Sequence, residues 1–262
     1  MHGTYIGNNK MMVKLAYNAV ITIPSNDLSL MPTLVTTGMF EVPLTKYFLT
    51  QLKPGYTVVD VGANIGYFTV LAAKVVGNTG RVIGYEADPN TAAVLKDNLA
   101  MNWLTENVTI INKAVYSENK TLQFRSSERF HGYSSWKEKP KDDNLIDHYT
   151  IRDVEAVSLD NELQELDTID LVKIDIEGGE YHAFLGMKKL IQDRKIKTIT
   201  FEWNKAMLGA DEGPFLDLIS DLITNRGARL TLLDKEGEVV ETTLKDLAAF
   251  EFYPFVLLEF QN

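Results

Sequence analysis

No cysteine occurs among the 262 residues. That absence removes a disulfide framework, a thiol nucleophile and cysteine-ligated zinc from consideration. Long apolar runs are missing as well: nothing approaches transmembrane length, and Met1 to Lys14 lacks the continuous apolar core of a signal peptide. A soluble cytoplasmic protein is therefore the expectation. Positive charge is scarce, with 26 basic against 36 acidic residues and a formal net charge of −10, a balance that repels a phosphate backbone. The nearest approach to a basic cluster is Lys137, Lys139 and Lys141, and Glu138, Asp142 and Asp143 interrupt it. Nucleic acid is disfavoured as a partner. Internal repeats and low-complexity segments are also lacking.

What is present is a chain with 45% hydrophobic content, enough to bury a large core as one domain with small additions. Extended pieces at Lys10 to Tyr17 and Val20 to Pro24 suggest a β hairpin or cap over 1–43. From 44 to 262 strand and helix patterns alternate, which argues a doubly wound α/β sheet. Strands are expected at Thr57 to Val61, Arg81 to Glu86, Val108 to Asn112, Ile169 to Ile174 and Thr198 to Phe201. Arg229 to Leu233 and Phe255 to Phe260 complete the sheet as an antiparallel pair. Asp88-Pro89 supplies an N-cap and an N1 proline for a helix to about Met101. One helix is expected over Gly178 to Ile191 and another over Pro214 to Asn225, closed by Gly227. Leu122 to Phe124 and Val154 to Val157 are short extra strands flanking a polar stretch without a clear period, and 126–150 is expected to be a substrate lid.

The most informative segment is Thr57 to Thr69. Val58, Val59 and Val61 form a β-branched run suited to a strand covered on both faces, and Gly62 lets the chain turn close to a ligand. The helix that follows would aim its free N–H groups at the turn. Glu86, twenty residues after Gly66, ends the second strand where a carboxylate accepts ribose hydroxyls. A dinucleotide fingerprint starting at Gly62 would require glycine at 64 and glycine or alanine at 67, but Asn64 and Tyr67 stand there. The arrangement fits S-adenosylmethionine better, since its ribose and amino-acid tail need no phosphate cradle.

A second constellation runs from Leu171 to Glu180, where a buried strand ends in Asp175, Glu177 and Glu180 with Gly178 and Gly179 between them. Ligands of open α/β sheets bind beyond the carboxyl ends of the strands, so Asp175 and Glu177 should share a crevice with Asp60 and Glu86. Such crowding requires a cation or a proton: a sulfonium, Mg2+, Lys173, or a raised carboxylate pKa suited to general-base work. Helix capping by either residue is the plainer alternative.

Together, Asp60-Val61-Gly62-Ala63-Asn64-Ile65-Gly66-Tyr67, Glu86-Ala87-Asp88-Pro89 and Lys173 to Glu180 closely resemble the FkbM family of S-adenosylmethionine-dependent methyltransferases. The similarity runs from about Phe40 to Trp203. It includes Asn112-Lys113-Ala114-Val115, Gly132-Tyr133-Ser134-Ser135 and Val157-Ser158-Leu159-Asp160. The resemblance implies a class I methyltransferase fold, a Rossmann-like seven-stranded doubly wound sheet with a terminal antiparallel strand. It also implies O-methylation of a small-molecule hydroxyl, on a sugar, a glycan or a natural product.

Carried over by position, Asp60, Gly62, Ala63, Asn64 and Gly66 would line the methionine and ribose side, and Glu86 would hold the ribose diol. Asp88, Asn112, Ala114 and Val115 would sit by the adenine, and Glu41 would close over the cofactor. Asp175 and Glu177 would face the reacting hydroxyl. Some relatives bind Mg2+ at the ends of strands four and five, here Asp175 and Glu202 with Asn204, although Glu202-Trp203-Asn204 departs from their adjacent acidic pair. Without a metal a general base is needed. Asp175 and Glu177 are the first candidates, with His182 and His131 behind them. From the residues alone, Phe130, Tyr133 and Trp136 of the expected lid suit either stacking on a sugar face or lining an apolar pocket, and Arg125, Arg129 and Lys137 suit a carboxylate or a phosphate. An RNA ribose methyltransferase and a non-catalytic module of the same fold are the alternatives.

Overall fold

The structure, a computed structural model, describes residues 2–127, 129, 134–135 and 149–260. The chain opens with an antiparallel meander of β1 (Gly3–Gly7), β2 (Lys10–Lys14) and β3 (Val20–Pro24). Helices α1 (Met31–Thr37) and α2 (Val42–Gln51) lead to β4 (Thr57–Val61), α3 (Tyr67–Val76), β5 (Arg81–Tyr85), α4 (Pro89–Met101) and β6 (Val108–Ile111). A small second sheet follows, built from β7 (Ala114–Val115), β8 (Lys120–Ser127) and β9 (Tyr149–Val157). After α5 (Leu159–Glu162) come β10 (Ile169–Ile174), α6 (Glu180–Leu185), α7 (Lys188–Gln192) and β11 (Ile196–Asn204). The chain ends with α8 (Lys205–Leu208), α9 (Glu212–Arg226), β12 (Arg229–Leu233), β13 (Val239–Glu241), α10 (Leu244–Ala249) and β14 (Phe252–Glu259).

The main sheet has the order β13-β12-β14-β11-β10-β4-β5-β6. Strands β6, β5, β4, β10 and β11 are parallel, and β14 runs antiparallel between β11 and β12. Strand order reverses at β4, so the crevice outside β4 and β10 is the topological switch point where ligands of such sheets bind. These seven strands are the expected class I set. The eighth, β13, is an addition at the edge: Asp234 accepts the Glu236 and Glu238 amides to turn the chain back on β12. All three residues of β13 are exposed, so no apolar alternation marks it in the sequence.

Alternation along the strands divides the apolar side chains between two cores. Val59, Val61, Ile83, Val172 and Ile174 pack on one face with Phe184, Phe201 and Phe215 of the adjoining elements. Val58, Val82 and Leu171 pack on the other with α3, with Val13, Ile21 and Ile23 of the N-terminal strands and with Leu15 just past β2. Among the described residues, no helix is long and apolar enough to cross a membrane.

Two expectations are corrected. The helix read over Gly178 to Ile191 is two helices, because the Gly186 carbonyl accepts from the Asp160 amide while the Asp160 carboxylate accepts from the amides of Lys189 and Leu190. A Cβ on Gly186 would stand 2.1 Å from the Tyr116 carbonyl oxygen, so the break is also a close chain crossing. The short strands around the polar stretch extend to Ser127 and begin again at Tyr149, with unbroken pairing from Lys120↔Ala156 to Ser127↔Tyr149. Main-chain pairing holds these polar residues extended although their side chains carry no strand pattern. Apart from Arg129, Ser134 and Ser135, the remainder of the expected lid lies outside the described residues, and with it His131, Phe130, Tyr133, Trp136 and Lys137.

The N-terminal sheet is joined to the main domain by two asparagines four residues apart, Asn98 on α4 and Asn102 at its C-cap. Asn98 is fully buried; its Oδ1 accepts from the Thr22 amide and hydroxyl, and its Nδ2 donates to the carbonyls of Thr22 and Ile65. Asn102 makes the same two-way exchange with Val20. The two side chains thus act as a partner strand for the open edge of β3. Asn98→Ala should lower unfolding stability by about 2–4 kcal/mol, since it leaves several buried groups unpaired. Urea denaturation checks this, and a loss below about 1 kcal/mol would show that the edge is not held there.

Candidate active site

At the end of β4 the amides of Gly62 and Ala63 both donate to the Tyr85 carbonyl, so the chain crosses toward β5. Gly62 has φ +79°, and a Cβ there would lie 1.9 Å from the Asp175 carbonyl oxygen. Only glycine lets the ends of β4 and β10 approach this closely. Asn64, at φ 50°, donates its amide to Glu86 Oε2 at 2.8 Å and accepts the Ile65 amide on its own side chain. Glu86 Oε1 accepts the Asp88 amide at 2.8 Å, and Asn112 Nδ2 donates to the carbonyls of Glu86 and Ala87. One carboxylate therefore ties together the turns after β4 and β5, with Asn112, just past β6, bracing the main chain of the second turn.

These turns form one wall of a cleft, and the end of β10 forms another. Of the expected cofactor residues, Gly62, Asn64, Glu86, Ala114 and Val115 line it, together with Asp175 and Glu177. Lys113, Phe124, Ser134 and Ile176 also line it and were not singled out as contacts in the sequence. Phe124 is placed by β8 pairing with β9, a tertiary fact without a local signal, whereas Lys113 and Ser134 sit inside motifs already quoted.

The other expected residues stand behind or beside the cleft. Asp60 is buried, accepting the Thr69 hydroxyl at 2.6 Å and lying 3.7 Å from Lys173 Nζ. Burial raises its carboxyl pKa while Lys173 and Thr69 pull it back. Lys173 also reaches Asp175 at 3.2 Å. Burial works against its ammonium, but Asp175, Asp60 and Glu41 hold its pKa above the usual lysine range. Ala63 is packed in the core, and Gly66 caps the start of α3. Asp88 accepts the amides of Asn90 and Thr91 at the head of α4, with Arg152 3.8 Å from its second oxygen.

Glu41 caps α2 in a left-handed conformation, φ 43°, and lines a second, smaller cavity with Lys173, Asp175, Thr200 and Glu202. Burial, then Asp175, raise its carboxyl to about 8. Glu202 is raised further, to about 9, by burial and by the facing Asp175, Glu177 and Glu180. Asp175 is common to both cavities. His182 lines neither: it stacks on Tyr116 at 4.2 Å and lies 3.6 Å from Asp211.

Among the described residues, no group of three or more His, Asp or Glu side chains is arranged to hold a metal ion. Asp175 is engaged by Lys173, and Asn204 donates to Glu202 while accepting the Met207 amide. Each of the three residues expected to hold Mg2+ therefore already has a partner within the protein.

A profile of the Methyltransferase FkbM domain matches residues 60–230. Methyltransferase sdnD of Sordaria araneosa is 26% identical over 168 residues, covering 54% of this chain and 64% of that protein. The tRNA (adenine(58)-N(1))-methyltransferase TrmI of Thermus thermophilus is 38% identical over 60 residues, 23% of this chain and 24% of that one. The chain spans less than two thirds of the length of these curated relatives. Among solved structures, a proposed rRNA methylase from Clostridium thermocellum superposes with a TM-score of 0.50 at 15% identity, covering 86% of this chain and 98% of that chain. At that identity the likeness is one of fold.

Burial raises the Glu86 carboxyl to about 7, against the pull of the Asp88 and Asn64 amides. An acid raised on folding binds more protons folded than unfolded, so its contribution to stability is full below the unfolded value and is lost as pH rises through the folded one. Between pH 5 and pH 7 the ligand-free chain should lose about 1–3 kcal/mol of stability through this group. Denaturant titrations at pH 5, 6 and 7 should show the fall in the wild type and a flatter profile in Glu86→Gln. Equal slopes would contradict the assignment.

Proposed function

The chain belongs to the FkbM methyltransferase family, and from that premise we propose that it transfers a methyl group from S-adenosylmethionine to a hydroxyl oxygen of a small molecule, such as a sugar, a glycan unit or a natural product. The observation that carries this reading is one cleft in which Glu86 and the glycine turn after β4 stand with Asp175 and Glu177 of the turn after β10. The residues fit the cofactor. Each oxygen of Glu86 accepts one amide and keeps acceptor capacity for a ribose hydroxyl. Ala114, Val115 and Phe124 offer an apolar wall for a planar base.

When bound, the cofactor supplies a methyl group already activated by its sulfonium. What remains for the chain is to orient a hydroxyl and to receive its proton. In this proposal Asp175 or Glu177 takes that proton. Glu41 and Glu202, whose carboxyls burial and acidic neighbours push up, line the smaller cavity and not this cleft. His182, held against Tyr116 beside Asp211, is given no part in the transfer. No step is routed through Mg2+. The net charge of −10 favours a small substrate over RNA, and Lys113 on the cleft wall is already paired with Glu155 at 3.3 Å.

Glu86→Ala should weaken S-adenosylhomocysteine binding by about tenfold or more, since it removes a charge-assisted acceptor and the brace between two turns. Asp175→Asn should keep that affinity within about threefold while lowering turnover on a hydroxyl acceptor by about 100-fold. Calorimetry and a radiolabelled methyl-transfer assay over a panel of sugars and phenols measure the two effects. The reverse pattern would overturn the division of roles.

A further inference from the structure

The turn that carries the two candidate proton acceptors is held in an uncommon shape. Glu177 has φ 53°, a left-handed conformation that side chains other than Asn and Asp seldom adopt, and Gly178 follows at φ 95°. A Cβ on Gly178 would stand 2.5 Å from the Met207 carbonyl oxygen, so the turn is pressed against the chain beyond β11. The Asp175 amide donates to the Val61 carbonyl at 3.0 Å, and the Ile176 amide donates to Glu180 Oε1 at 3.1 Å. A further contact comes from the segment that bridges to Arg125 of β8 from outside the strands. Ser135, only 2% exposed, donates its hydroxyl to the Glu177 carbonyl at 2.9 Å.

Ser135 is itself fixed. Its amide and carbonyl both exchange hydrogen bonds with Arg125 of β8, and the Ser127 amide donates to the hydroxyl of neighbouring Ser134. Ser134, next to it, and Phe124 of β8 line the same cleft as Asp175 and Glu177. We infer that Ser135 is a positioning residue, a latch by which β8 holds the Glu177 turn in its left-handed shape and so sets the reach of Asp175 and Glu177 across the cleft. The consequence for transfer rests on the methyltransferase reading, whereas the latch itself does not. Strain in one turn is then balanced by a hydroxyl from a separate segment that is itself paired with β8.

Hydrogen exchange of the full, ligand-free chain reads the latch, and calorimetry with S-adenosylhomocysteine reads its effect on the cleft. Ser135→Ala should speed exchange at the 177–179 amides about tenfold or more, with 57–61 unchanged, and weaken the ligand about 5- to 20-fold. Ser135→Thr, which keeps the hydroxyl, should stay within about threefold of wild type in both. Wild-type exchange in Ser135→Ala, or a Ser135→Thr as impaired as the alanine, would overturn the inference. Should Ser135→Ala fail to fold, Ser135→Cys, which keeps the volume with only a weak donor, takes its place in the comparison. A wild type that binds no S-adenosylhomocysteine would refute the transferase reading, and the exchange result would still decide the latch.

Discussion

The buried ammonium of Lys173, set between Asp60 and Asp175, is the interaction on which the rest of this site depends. Asp60 and Lys173 are direct neighbours in register on β4 and β10, and the side chains of both are at most 4% exposed. A carboxylate so placed, stripped of its cation, typically costs a fold about 3–5 kcal/mol. The same cation lets β10 end in Asp175 beside β4, which is where the sheet changes direction and the cleft opens. Gly84 continues the row on β5, opposite Asp60, and its lack of a side chain leaves room for Ile110. Thr200 closes it on β11.

Around that ion pair the acidic groups divide by environment. Glu41 and Glu202, both drawn into the smaller cavity, have their carboxyl pKa values pushed up because burial and acidic neighbours disfavour their charge. Asp175 shares the ammonium and faces both cavities. Glu86, at the other end of the cleft, is supported by main-chain amides instead of a cation. A cationic sulfonium cofactor and a hydroxyl that must lose a proton both suit a crevice of this polarity. A negatively charged diphosphate does not, which agrees with Asn64 and Tyr67 standing where a dinucleotide turn requires small residues.

Much of this was legible because it is local. The β-branched run before Gly62, the Asp88-Pro89 cap and the carboxylates after Ile174 each carry their signal within a few residues, and the matching elements lie within a residue or two of expectation. The parts that were not legible are set by distant chain. Asp160 ends α6 and starts α7 from outside the helix, so no breaker strong enough to expect a stop appears in the segment itself. Strand β13 is short and wholly exposed, and β8 and β9 are long because their main chains pair. Phe124 reaches the cleft by sheet register. Lys173 could be suspected of neutralising the acidic cluster, but its partnership with Asp60 becomes visible only once β4 and β10 lie side by side.

The central claim is that this cleft binds a sulfur nucleoside and not a dinucleotide. Thermal denaturation of the full chain with S-adenosylhomocysteine, S-adenosylmethionine and NAD, each with and without Mg2+, tests it most directly. Stabilisation by the two sulfur ligands, about 2.7 kcal/mol at 100 times the dissociation constant, with none from NAD, is the predicted result. Stabilisation by NAD, or by none of the three, would contradict the account.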